Sequence, residues 1–90
     1  ATMEHPKRDH LVMFARAAIM HEKNLSEALA ASKEGLKEWP RDVELLTLAG
    51  SLSLRLGKID DARSYVRTAR SLDPTYAEAL ALEAQLSEKK

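Results

Sequence analysis

The chain has no cysteine, only three glycines, three prolines and 4% aromatic residues, and its fourteen basic side chains balance its fourteen acidic ones. Each shortage excludes something. Without cysteine there is no disulfide framework, thiolate metal site or cysteine nucleophile, although this does not fix the redox compartment, which stays open with a cytoplasmic leaning. A net charge of zero removes the main electrostatic case for nucleic acid or an anionic membrane as partner. The longest apolar stretch, Leu11 to Met20, contains Arg16 and falls well short of the roughly 20 apolar residues that span a bilayer. No membrane insertion is expected. Scarce glycine and proline in 90 residues leave room for long uninterrupted helices, and 44% hydrophobic with 31% charged residues is the balance of a single soluble folded domain.

An internal period organises the chain. A shift of 34 residues lays Leu11 on Leu45, Ala15 on Ala49, Ala28 on Ala62 and Pro40 on Pro74, and then Glu44 on Glu78, Leu46 on Leu80 and Leu52 on Leu86. The pattern inside a unit is helical. From Val43 to Leu56 apolar residues cover all but one narrow arc, which holds Glu44, Thr47, Ser51 and Arg55, as for a helix with neighbours on most sides. Gly57 supplies the left-handed turn after it, and Asp60 and Asp61 suit the first turn of a second helix. That helix carries Ala62, Val66 and Ala69 on one side and Arg63, Arg67 and Arg70 on another, and Asp73-Pro74 ends it. In the first unit Asn24 with Glu27 is a candidate cap for the second helix. The expected architecture is all-α, with five helices in about two and a half repeats. A flexible lead-in covers 1–8, followed by one domain over 9–90 with repeats at 9–42 and 43–76 and a closing helix at 77–89.

Gly50, Ala62, Ala69 and Pro74, with the large apolar residues Leu46, Ile59, Val66 and Leu72 between them, resemble the tetratricopeptide repeat family. The small residues let antiparallel helices approach closely, and larger side chains there would push the layers apart. The resemblance implies an α-solenoid of helix hairpins whose first helices line a concave groove. The first copy departs most, with Arg16 at a small-residue site, Lys23 for the turn glycine, Ser32 for a large apolar residue and Gly35 for alanine. The middle copy departs at Ala49 and Ser53. In the third, Leu80 and Ala84 stand at the packing positions.

The implied function is protein–protein interaction, as scaffold, adaptor or secretion-type chaperone, with a partner segment in the groove. By helical phase the candidate groove residues are Met13, Ala17, Met20, His21, Thr47, Ser51, Leu54, Arg55 and Gln85, on a surface with an apolar, methionine-bearing end and an acidic end and small residues between them. Family members that clamp a C-terminal carboxylate carry lysine and asparagine where this chain has Met13, Ala17, Leu48, Glu78 and Leu82, so that mode is not expected. The alternative is self-assembly, or docking to further repeats of a larger protein, through the terminal face of the last helix, where Leu82 and Leu86 form an apolar stripe. Arg63, Arg67 and Arg70 read as a wet convex face, with an acidic-peptide or phosphate role as their alternative. His10 and His21 lie eleven residues apart, about 16 Å along a helix, too far to share a metal. With no phosphate loop, nucleophile motif or ligand cluster, no enzyme, cofactor or metal is expected.

Overall fold

The computed structural model describes residues 6–88, which form five α-helices and no strand: α1 (Pro6–His21), α2 (Leu25–Glu38), α3 (Val43–Arg55), α4 (Ile59–Leu72) and α5 (Ala77–Ser87). Helix α1 starts inside the segment expected to be a lead-in. Proline suits a helix's first turn, where its missing N–H would find no partner. Two residues on, Arg8 is held by Asp42 and Glu44 of the next hairpin, which anchors that first turn. The rest of the expected lead-in, residues 1–5, and the last residue of the expected closing helix, 89, lie outside the described residues.

Helices α1 and α2 form one hairpin and α3 and α4 a second, while α5 packs on both α3 and α4. Helix α3 is the hub, touching each of the other four. Asp42 caps it, its Oδ1 accepting from the Leu45 N–H at 3.1 Å. Leu45, Leu48, Ala49 and Leu52 join Val12, Ala15, Ala18, Ala28 and Leu29 in the largest apolar cluster, the seam between the two hairpins. On its other side, Leu46 packs with Ala69 and Ala79. Close approach depends on Gly50, since a Cβ there would stand 3.0 Å from Leu82 Cδ2 and 3.4 Å from both Tyr65 Cβ and Val66 Cγ2. The predicted crossing of α3 with α4 at a slim residue is therefore present, and α5 meets the same point.

The two helix-to-helix turns differ. Gly57 takes φ +82° with open space around it, as its position after α3 predicts. Between α1 and α2 the chain instead places Glu22 (φ 54°) and Asn24 (φ 57°) in the left-handed region. Asn24 makes no side-chain capping bond, contrary to the cap expected of it, because its own left-handed backbone takes it out of the extended geometry that a capping side chain needs. Ser32 and Ser53, which stand where the repeat pattern has a large apolar residue, are fully buried with hydroxyls lacking a hydrogen-bond partner.

Helix α5 corrects two expectations. Leu82 and Leu86 are only 4% and 3% exposed, packed with Ala62 and Val66 of α4. They continue the stripe of Leu48 and Leu52, which faces the preceding hairpin, and so form no open terminal patch. The positions expected to pack, Leu80 and Ala84, are the exposed ones, with Leu80 at 40%. They match Leu46 and Gly50, the face of α3 that α4 covers, and among the described residues no helix covers that face of α5.

Candidate functional site

Helices α1, α3 and α5 lie side by side and line a concave surface. At its centre is a pocket of about 160 Å³ bordered by Arg16 and Ile19 of α1, Thr47 and Ser51 of α3, and Ala81 and Gln85 of α5. Helical phase sets this lining: Thr47 and Ser51 are four apart, as are Ala81 and Gln85, so each pair sits on one stripe. Thr47 is buried, and its hydroxyl donates to the Val43 carbonyl at 2.8 Å, which leaves its methyl group as floor. Small and short side chains here leave a depression rather than a ridge.

The candidate groove residues are spread wider than this pocket. Thr47, Ser51 and Gln85 line it. Met13 and Met20 stand in solvent, 66% and 75% exposed. Ala17 and His21 border a separate depression of about 400 Å³, on the outer side of α1 beside Phe14 and Lys23. Leu54 is half-buried against Ala62, Val66, Leu82 and Leu86, and Arg55 pairs with Glu22 across the mouth of the first turn. The structure thus gathers three of the nine into one cavity and leaves the other six outside it.

Charge pairing in the wall of this pocket, which Arg16 and Glu78 both line, was missed by sequence reasoning. Arg16 reaches from α1 to Glu44 Oε2 on α3 (2.7 Å) and to both carboxylate oxygens of Glu78 on α5 (3.0 and 3.1 Å). Arg8 donates to both oxygens of Asp42 and, at 2.7 Å, to Glu44 Oε1. The Tyr76 hydroxyl adds a 2.8 Å bond to Glu78. One ladder therefore ties all three first helices together. The only signal for it was Arg16 itself, a long cation at a small-residue site, with two glutamates 34 residues apart opposite it. Pairing between residues 28 and 62 positions apart becomes visible only once the helices are stacked.

The ladder shifts its members' pKa values. For Glu44, burial pushes the carboxyl up, but hydrogen bonds from Arg16 and Arg8 outweigh it and hold the group below its ordinary range. Asp42 is lowered in the same way, with burial opposing Arg8 and the Leu45 N–H. The Arg16 hydrogen bond lowers Glu78, and burial with the bond to Glu78 pushes the Tyr76 phenol up to about 12. Two guanidiniums against three carboxylates leave the end predicted to be acidic nearly neutralised. Among the described residues, no group of three or more His, Asp or Glu side chains could hold a metal, and no helix is long and apolar enough to cross a membrane.

Comparison with known proteins agrees with this architecture. A sequence model described as "Tetratricopeptide repeat" matches residues 20–86. A relative from Bacillus subtilis (strain 168), TPR repeat-containing protein YpiA, is 35% identical over 54 residues, 60% of this chain. The match spans 13% of the relative's length. No solved structure matches.

Proposed function

The chain belongs to the tetratricopeptide repeat family, a family whose repeats mediate protein–protein interaction, and from that premise we propose that it holds a segment of a partner protein on the concave surface of α1, α3 and α5. The observation that carries this reading is the pocket between Thr47, Ser51, Ala81 and Gln85, walled on one side by the paired Arg16 and Glu78. An extended segment places alternate side chains in such a depression, and the exposed Met13 and Met20 offer flexible thioethers elsewhere on α1. With the ladder nearly neutral, recognition rests on shape and apolar contact more than on charge, and binding depends little on salt. Scaffold, adaptor and secretion-type chaperone are roles that this one binding mode serves.

The test is a photo-crosslinking side chain at Ser51, compared with one at Thr68 on the exposed side of α4. Trapping of a discrete protein at Ser51 alone, abolished in competition by wild-type chain but not by Ser51→Arg chain, supports the reading. Equal capture by the two competitors ends it.

A second reading, self-association, is supported by the depression on the outer side of α1, where Phe14 is exposed beside Ala17 and His21. Light scattering across a concentration series separates the two. Self-association predicts a mass that rises with concentration and falls back in Phe14→Glu.

A further inference from the structure

The concave pocket lies between two helices that stand apart. Among the described residues no Cα of α1 comes within 8 Å of one in α5, although both helices pack on α3. Arg16 and Ile19 form the α1 wall, Ala81, Leu82 and Gln85 the α5 wall, and α3 supplies Thr47, Leu48 and Ser51 between them. Cavities of about 150 Å³ take up benzene, so the space of about 160 Å³ here is matched by a single branched aliphatic side chain. The hydrogen bonds that join the two walls, among the described residues, run from Arg16 to both carboxylate oxygens of Glu78. The two side chains are 40% and 49% exposed, and an ion pair this wet contributes little to stability. It is a latch that a competing charge can open.

The two halves of the latch are not equally replaceable. Released from Glu78, Arg16 keeps Glu44 at 2.7 Å. Glu78, released from Arg16, keeps among the described residues the Tyr76 hydroxyl, which brings no charge. A carboxylate offered to Arg16 therefore strands Glu78 beside a second anion, whereas a cation offered to Glu78 leaves every charge paired. Resting on the groove reading above, we propose that the partner segment seated here is basic: a branched aliphatic side chain enters the pocket between α1 and α5, and a lysine or arginine two residues along replaces Arg16 on Glu78. The spacing fits. In an extended segment, residues two apart point to the same side and lie about 7 Å from each other. Glu78 and Leu82 are four residues apart on α5, about 6 Å along its axis. A segment laid along α5 thus brings its aliphatic and its basic side chain to the two places at once. Because one ion pair replaces another, the exchange suits a groove whose binding varies little with salt. Shape admits the segment, and Glu78 selects the charge beside it.

The probe is a phage-displayed library of random heptapeptides, selected on the full chain and counter-selected on Ser51→Arg chain, whose added side chain fills the pocket. Peptides retained by the wild type alone are expected to carry lysine or arginine two residues from valine, leucine or isoleucine. Synthetic peptides with that pair are expected to bind about threefold more weakly when the basic residue becomes glutamine, and to lose as much on Glu78→Gln chain. On Arg16→Gln chain, where Glu78 is freed while Glu44 keeps Arg8, they are expected to bind about threefold tighter, a gain that a misfolded variant does not give. Pocket-dependent peptides that are acidic, that ignore the loss of their basic residue, or that bind Arg16→Gln chain more weakly overturn this inference and leave the groove reading standing. A selection in which no peptide distinguishes wild-type from Ser51→Arg chain overturns the groove reading, and this inference with it.

Discussion

The middle hairpin and the first one are built on the same 34-residue pattern and held together by different means. In the middle hairpin α3 is covered on almost every side, Gly50 brings three helices into contact, and one glycine makes the turn. In the first hairpin Arg16 stands at the position of Gly50, two non-glycine residues take the left-handed turn, and α1 leaves Met13 and Met20 in solvent. A buried repeat gains from slim residues because helices on both sides press on it. Among the described residues the first repeat has one such neighbour, and its long cation turns sideways to carboxylates on α3 and α5. Position in the array thus decides whether a repeat site is filled by nothing, as at Gly50, or by a tether, as at Arg16.

Truncating equivalent leucines gives the largest expected contrast. Leu45 is fully buried in the seam between hairpins, and Leu45→Ala is expected to cost about 2 to 5 kcal/mol, transfer and cavity combined. Leu11, its match on α1, is only partly buried against the same cluster, and Leu11→Ala is expected to cost about 1 kcal/mol. Urea midpoints at constant slope measure both. Equal losses would mean that the two repeats share one mode of packing after all.

Exchanging the residues at the contested site comes next. Gly50→Arg forces a charged side chain into a space where even a Cβ stands 3.0 Å from Leu82, at an expected cost of about 3 kcal/mol or more. Arg16→Gly removes the tether and adds helix-interior backbone freedom, at about 1 to 2 kcal/mol. Thermal melts of both variants rank them. A milder loss for Gly50→Arg than for Arg16→Gly breaks the comparison.

Much of this is legible in the amino-acid sequence alone. The 34-residue period, the slim residues and Pro74 give the helix order and the crossing point, because these features are local and repeat. Two things were not legible. The phase of α5 depends on what surrounds it: Leu80 and Ala84 look like core by repeat position, yet among the described residues the helix that covers their counterparts on α3 has no equivalent over α5. The ladder of Arg8, Arg16, Asp42, Glu44 and Glu78 joins residues far apart in sequence, and no local pattern encodes such distances. Of the groove itself, phase alone located Thr47, Ser51 and Gln85. It placed Ala17 and His21 on the concave side without revealing that the pocket's α1 wall is made by Arg16 and Ile19.

Acid sharpens the contrast between tether and seam. Asp42, Glu44 and Glu78 have lowered pKa values in the folded chain, so each contributes stability at pH values above the ordinary carboxylate range. That contribution is lost as the pH falls from about 5 through the lowered values, where folded carboxylates take up protons. The groups are partly solvated, which limits the sum to about 1 kcal/mol. Denaturation at pH 7 and pH 3 is expected to show a smaller acid loss in Arg16→Met than in the wild type, because one partner of the ladder is already gone. An unchanged pH dependence would assign the tether no energetic role.

The smallest expected effect sits in the turns. Asn24 pays for a left-handed backbone without returning a capping bond, whereas Gly57 adopts φ +82° at no steric cost. Asparagine tolerates that region better than other side chains, and glycine is nearly as good at the start of a helix, so Asn24→Gly is expected to gain a few tenths of a kcal/mol, roughly 0.3. The reverse change, Gly57→Asn, is expected to lose a similar amount, since nothing lies within 4 Å of an added Cβ and only the backbone preference is at stake. Measured together, the two variants isolate turn strain from packing. If Asn24→Gly instead destabilises the chain, the asparagine side chain is holding the first hairpin in a way that its left-handed backbone conceals, and that hairpin is less loosely tied than its exposed helix suggests.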